Sequence, residues 1–314
     1  MNFFQIISEI EKVDPEVYDR LDSRRSIFKH MSGLGQKLSA AALPLAVGAI
    51  FNKVYAQTPV GAGVNDVLNF ALKLEYLESF FYQARTAVVG GFNANVTASL
   101  NLITTDEANH VTFLRSVLGT NAIPAPTVAT FDYTAKGAFN PTVAAQYLAL
   151  AQSFEDTGVR AYKGAAPLIM SNKTVLTAAL NIHSVEARHA SQLRAIRRAM
   201  ATTGTPAPSQ GIAVAPYSAA PKSWISGTDG GGAVPGATDK IYGAGNNTNA
   251  PAGITFESEA NITQGGVALS GTTITAGSAF PASAFSEAFD EGLDVGTVAS
   301  IANMFSVSGD YFSK

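Results

Sequence analysis

The chain has 314 residues, 46% of them apolar and 14% charged, with a formal net charge of -3 and no cysteine. This composition excludes a disordered polyelectrolyte and offers no basic footprint, so nucleic acid is not an expected partner. Without Cys, disulfides, thiolate zinc, iron–sulfur clusters and cysteine nucleophiles drop out together, and any metal must sit on Glu, Asp and His.

Three segments differ in composition. Residues 23–56 carry Arg24, Arg25, Lys29, Lys37 and Lys53 with no acid. Residues 57–204 hold 11 Lys/Arg against 9 Asp/Glu, and residues 205–314 hold 16 of the 28 glycines with 9 acids against 3 bases. The expected organisation is a leader over 1–56, a domain over 57–204 and a carboxyl-terminal extension over 205–314. In the leader, Ser23-Arg24-Arg25-Ser26-Ile27-Phe28-Lys29 precedes an apolar run from Leu38 to Phe51 and then Val54-Tyr55-Ala56. The run is too short to span a bilayer comfortably, and the whole resembles a twin-arginine export signal. That resemblance implies an exported, periplasmic or cell-envelope protein that starts near Gln57 and has no membrane span after processing. An amphipathic helix packed on the domain is the other reading.

Four helices follow. The first is predicted from Asp66, a capping residue, with Leu68, Ala71, Leu72, Glu75, Glu78 and Tyr82 recurring at helical spacing on one face. The second, from about Thr97 to Leu118, aligns Leu100, Ile103, Glu107, His110 and Leu114 and stops at Gly119. Asn140-Pro141 is expected to open the third, whose inward stripe is Leu148, Ala151, Glu155, Val159 and Tyr162. The fourth, from about Lys173 to Ala201, turns Leu176, Ala179, Glu186, His189 and Leu193 inward.

The two halves repeat their polar residues. Glu75 is followed by Tyr82 seven residues later, then by Glu107-x-x-His110; Glu155 is followed by Tyr162 seven later, then by Glu186-x-x-His189. The Glu-to-Glu separations are 32 and 31 residues. Thr120 to Phe139, rich in Pro, Ala and Thr, is too long for a tight hairpin and suits one long crossover.

Burying a carboxylate without a partner is heavily penalised, so an inward Glu on each of four helices calls for cations or protons. Two divalent metals would supply that charge. Glu-x-x-His puts a carboxylate and an imidazole on nearly the same helix face, where both can reach one ion. All five Glu of residues 57–204 lie on these stripes, so none serves as an ordinary surface residue. A ligand set rich in oxygen with one imidazole per ion favours Fe or Mn over Zn or Cu. The alternative is a scaffold whose carboxylates share protons or meet Arg188 and Arg194.

From Asn65 to Ala201 the quartet Glu, Glu-x-x-His, Glu, Glu-x-x-His resembles the ferritin-like carboxylate-bridged dimetal family, in particular the exported bacterial type that includes desiccation-related proteins. The fold this implies is all-α: a ferritin-like four-helix bundle with one long crossover. Carried over residue by residue, Glu75 and Glu155 become terminal carboxylates, Glu107 and Glu186 bridging carboxylates, and His110 and His189 one nitrogen ligand per ion. Tyr82 and Tyr162 become hydrogen-bond donors behind the ligands, or else plain core tyrosines. The halves differ three residues after each terminal Glu. Glu78 is read as an extra ligand, a proton carrier or a hydrogen-bonded core acid, and Gly158 as an opening for a small oxidant. His183 is expected to donate from behind the site or cap its edge. Asp106 and Asp156, next to ligand positions, are expected to face solvent or an Arg.

Residues 205–278 read as irregular, with Gly230-Gly231-Gly232 in a loop and short strands at Ile254–Phe256 and from Val267 towards Ile274. The glycine triplet is not a phosphate loop, because no Lys-Ser/Thr follows it. Phe280 to Phe305 supplies apolar surface to dock on the bundle in short helices. The function expected is a dimetal oxidoreductase, with two Fe or Mn ions, acting on dioxygen, peroxide or ferrous iron as a ferroxidase or a manganese-catalase-like enzyme. A non-catalytic envelope, stress-protection or metal-binding protein is the alternative.

Overall fold

Helix α1, Val64–Gln83, starts where the Asp66 carboxylate accepts the Gly63 N–H at 3.0 Å, so Asp66 closes the first turn from inside rather than standing before it. Helix α2, Ala94–Leu118, is capped by Asn93, whose side chain accepts from Val96 N–H at 2.9 Å, and ends at Gly119 with φ 56°. Glycine takes that left-handed conformation without steric cost. Helix α3 covers Ala144–Ala165 and α4 covers Lys173–Thr203. These belong to a computed structural model that describes residues 63–203, 221–248, 250–269 and 282–313. The predicted leader lies outside the described residues.

Helix α3 begins four residues later than Asn140-Pro141 suggests. The Asn140 side chain instead accepts from the Thr142 N–H and hydroxyl at 3.1 and 2.7 Å, a local turn that competes with helix.

The four helices form a bundle in which α1 packs along α2 and α3 along α4, with α1 also touching α3 and α2 touching α4. Tyr82 hydrogen-bonds Glu155 while Tyr162 hydrogen-bonds Glu75, so numbering runs in opposite senses and α1 and α3 are antiparallel. Residues 119–143 must then travel the length of the bundle, and they do so along α1. Asn69 exchanges hydrogen bonds with Asn121 O and Ile123 N–H, both at 2.9 Å; Tyr133 donates to Leu77 O at 2.8 Å; Val89 N–H reaches Thr142 O at 2.8 Å.

This path explains a difference in burial between the helices. On α2 only one stripe is buried, Val96, Leu100, Ile103, Glu107, His110, Leu114 and Leu118, spaced three and four apart as an amphipathic helix requires. On α1 every residue from Leu72 to Ser79 is buried, and α3 is buried nearly end to end. The crossover covers α1, and carboxyl-terminal segments cover α3.

That cover is held by buried charge. The Arg160 guanidinium on α3 pairs with Glu259 at 2.8 Å and donates to the carbonyls of Ile241, Gly243, Glu257, Glu291 and Gly292. On α4, Arg194 pairs with Asp156 at 2.5 Å and Asp229 at 3.0 Å, and Tyr242 donates to Asp156 at 2.5 Å. Helix α5, Asp239–Tyr242, and helix α7, Val295–Ala302, belong to this cover. Gly164 lets it approach: a Cβ there would stand 1.8 Å from Leu293 O.

The described residues divide into two units, and those among 262–289 belong to the smaller one. It contains strands β1, Thr263–Gln264, and β2, Val267–Ala268, antiparallel about Gly265 and Gly266 at φ 59° and 82°, and helix α6, Ala282–Ser286. Two consecutive positive φ values fit a tight hairpin turn. The strand predicted at Ile254–Phe256 is irregular, because the Phe256 N–H and C=O are taken by Asn247 and Gly245 of a loop. The continuation of β2 towards Ile274 lies outside the described residues. Among those residues no helix is long and apolar enough to cross a membrane.

Candidate metal centre

Each helix delivers one carboxylate to the bundle centre because its Glu occupies an inward position. Glu75, Glu107, Glu155 and Glu186 are all buried, as are His110 and His189. Four of them, Glu75, Glu107, His110 and Glu186, and a second set, Glu107, Glu155 and His189, each bring ligand atoms within 4.8 Å of one another. Glu107 belongs to both sets. Of the two carboxylates that the resemblance makes bridging, Glu107 reaches both groups, while Glu186 joins the set around His110.

The distances show how these groups meet. His110 Nδ1 lies 3.2 Å from Glu75 Oε2, 3.2 Å from Glu107 Oε2 and 3.5 Å from Glu186 Oε1. His189 Nδ1 lies 2.9 Å from Glu107 Oε1 and 3.3 Å from Glu155 Oε2. Behind them the Tyr82 hydroxyl donates to Glu155 and the Tyr162 hydroxyl to Glu75, each tyrosine serving the carboxylate of the other half.

Several of these atoms have no hydrogen-bond partner although they are buried: Glu107 Oε1, Glu155 Oε2, both oxygens of Glu186, and His189 Nδ1. The close approaches of His189 Nδ1 to Glu107 and Glu155 therefore lack hydrogen-bond alignment. Buried polar atoms left unpaired are costly, and a group of them converging on one point fits a cation that would coordinate them all. Among the described residues no Arg or Lys forms an ion pair with any Glu of the cluster. Arg194 is committed to Asp156 and Asp229, and Arg188 is exposed. The residues present therefore fit a pair of metal ions: hard oxygen donors, one imidazole in each set, and a shared carboxylate.

Protonation in the metal-free chain says the same. Burial, reinforced by the neighbouring carboxylates, holds Glu186 well above the usual carboxylate range. Burial and Glu155 push Glu107 up to about 7, against the pull of the His110 and His189 imidazoles beside it. Burial draws both imidazoles down, but the carboxylates around them win, lifting His110 to about 10 and His189 to about 11. Without metal the site must hold protons to balance its acids.

The remaining predicted residues fall differently. Glu78 is 5% exposed; burial, reinforced by the charges of Glu107, Glu155 and Glu75, raises its pKa strongly. It lies outside both ligand sets. The opening expected at Gly158 is filled: a Cβ there would stand 2.5 Å from Glu186 Oε2, so the missing side chain makes room for the carboxylate itself. His183 sits on the Val159 carbonyl at 2.9 Å, outside both sets. Asp156 is buried on Arg194, as an Arg partner requires. Asp106 faces solvent in part, as expected, but also meets a residue of the cluster. Its carboxylate, 45% exposed, lies 3.1 Å from His189 Nε2, which leaves Nδ1 facing the ligand set.

Residues 63–199 match the family model described as the ferritin-like domain. This chain contains a ferritin-like domain. No curated protein and no solved structure matches the chain. The match takes in all four bundle helices up to the last turn of α4, and within it the ferritin-like domain carries every one of the clustered Glu and His residues.

Proposed function

We propose that the ferritin-like domain holds two Fe or Mn ions and works as an oxidoreductase on dioxygen, peroxide or ferrous iron. The observation that carries this reading is the set of buried atoms on Glu107, Glu155, Glu186 and His189 that have no hydrogen-bond partner in the chain and that bound ions would coordinate. Glu75, Glu107, His110 and Glu186 would hold one ion and Glu107, Glu155 and His189 the other. Such ions, when bound, supply one-electron steps at two adjacent centres. The chain supplies the rest. Tyr82 and Tyr162 fix the Glu155 and Glu75 carboxylates by donating to one oxygen of each. Asp106 orients His189. Burial of all five Glu excludes bulk water and keeps protons within the cluster until a metal displaces them.

The test is metal analysis of the purified protein followed by peroxide-dismutation and ferrous-oxidation assays. About two Fe or Mn per chain, lost with activity in Glu107→Ala, is the expected result. A metal-free chain, equally stable and inert in both assays, would establish the non-catalytic alternative. Export rests on the Arg24-Arg25 segment alone; secretion that stops in an Arg24→Lys, Arg25→Lys variant is the expected outcome.

A further inference from the structure

A cavity lies between α1, α3 and the carboxyl-terminal cover, outside both ligand sets. It offers about 30 Å³ to water-sized molecules, roughly twice what one water needs. Helix α1 contributes Leu74, Leu77 and Glu78, α3 contributes Leu150 and Phe154, and the cover closes it with Ile241, Ala302 and Phe305. Its lining residues differ in burial: Ala237 and Lys240 are exposed and Met304 is half-buried, whereas Leu77, Leu150 and Phe154 are deeply buried. The exposed Ala237 and Lys240 mark its outer side, and the buried Glu78, one helical turn from Glu75, its inner side.

Two facts bear on what could travel there. The walls are mostly apolar, and Ser153, Thr157 and Thr238 spend their hydroxyls on backbone carbonyls, so a hydrated dication would find few groups to replace its water, while a small apolar molecule needs none. Glu78, 5% exposed, is the carboxylate among the buried lining residues. By contrast, the α2 and α4 side offers an ion an exposed carboxylate, Asp106, already in contact with His189.

We infer that this cavity is the entry path for dioxygen to the centre, separate from the side on which Asp106 meets an ion; this rests on the dimetal reading above. The path is built jointly by the bundle and the cover, so the carboxyl-terminal residues take part in access to a site whose ligands they do not supply.

The experiment uses the full chain and two variants. Ala302→Leu fills the wall, and Ala237→Trp blocks the outer side at an exposed position where folding is not at stake. Crystals pressurised with xenon report occupancy of the cavity without any metal present. Stopped-flow mixing of the ferrous-loaded chain with dioxygen reports delivery: two bound ferrous ions give two electrons to one dioxygen, which takes two protons to leave as hydrogen peroxide. Xenon is expected beside Glu78, Leu77 and Phe154 in the parent and absent in Ala302→Leu. The second-order rate constant is expected to fall at least about tenfold in both variants, with ferrous affinity by calorimetry unchanged. No xenon in the cavity, or unchanged rate constants in both variants that still bind iron, overturns the path and leaves the dimetal reading standing. A parent chain that takes up no metal overturns the dimetal reading itself and the delivery role with it, whatever the xenon shows.

Discussion

Helices α1 and α2 present Glu75, Glu78, Tyr82, Glu107 and His110 in the order in which α3 and α4 present Glu155, Gly158, Tyr162, Glu186 and His189. The matched residues do matched work, each tyrosine bonding the terminal carboxylate of the opposite half. The unmatched ones surround them. Glu78 faces Gly158 across the repeat, and the space that glycine frees holds the Glu186 carboxylate. Asp106 supports His189, whereas its counterpart Val185 has nothing to offer His110. Arg160 binds the carboxyl-terminal cover, whereas its counterpart is Phe80. The repeat has therefore kept its clustered Glu and His residues and diverged in their surroundings, which makes two chemically unequal ligand sets.

Substitutions can break that comparison. Glu107→Ala should bring metal content from about two ions per chain to near none, because Glu107 serves both sets, whereas Glu186→Ala should leave about one; elemental analysis distinguishes them. Arg160→Leu strands Glu259 in the interior and should cost about 3–5 kcal/mol in denaturant unfolding, with no comparable loss for Phe80→Leu. Asp106→Ala should weaken one of two ion-binding steps by about 10–100-fold in calorimetry, while Val185→Ala leaves both steps in place. Gly158→Ala must displace the Glu186 carboxylate and should weaken the ion bound with His110 by about tenfold, ~1.4 kcal/mol.

The smallest effect is a pH dependence of the metal-free chain. Glu107 is raised from 4.5 to about 7, and His110 and His189 from 6.5 to about 10 and 11. Groups that hold their protons more tightly when folded stabilise the fold below their unfolded values and stop doing so as pH climbs through the folded ones. Thermal stability without metal should therefore fall as pH rises above 4.5, first across the Glu107 range up to about 7 and then across the histidine range from 6.5 to about 11. Metal binding, which needs those protons gone, should strengthen over the same span, so the gap in melting temperature with and without metal widens. A gap that narrows would remove the link between protonation and binding.

Much of this was legible in the residues. Glu75, Glu107, Glu155 and Glu186 each recur at helical spacing with apolar neighbours, and that period alone turns them inward and together. The repeat of Glu-x-x-His gave the pairing of imidazole with carboxylate. Asp106 escaped because its role depends on how α2 crosses α4, and a residue beside a stripe is read as facing away. Gly158 was read as a gap because sequence cannot tell which neighbour fills the space a glycine leaves. Arg160 escaped for another reason: arginine on a helix is ordinarily solvated, and only the path of a distant segment carrying Glu259 shows that it is buried, while Arg194, weighed as a partner for the cluster, pairs with Asp156 and Asp229 instead.

Arg160 carries a practical consequence. The family match stops at residue 199, but this guanidinium draws its acceptors from residues 241 to 292, and Asp156 and Arg194 likewise complete their bonds at Tyr242 and Asp229. Excising the matched portion for a fusion, or grafting it into a chimera, would expose charges that evolved under cover. The transplantable module is larger than the homologous one, and anyone trimming this molecule to its recognisable part should expect an insoluble product rather than a minimal domain.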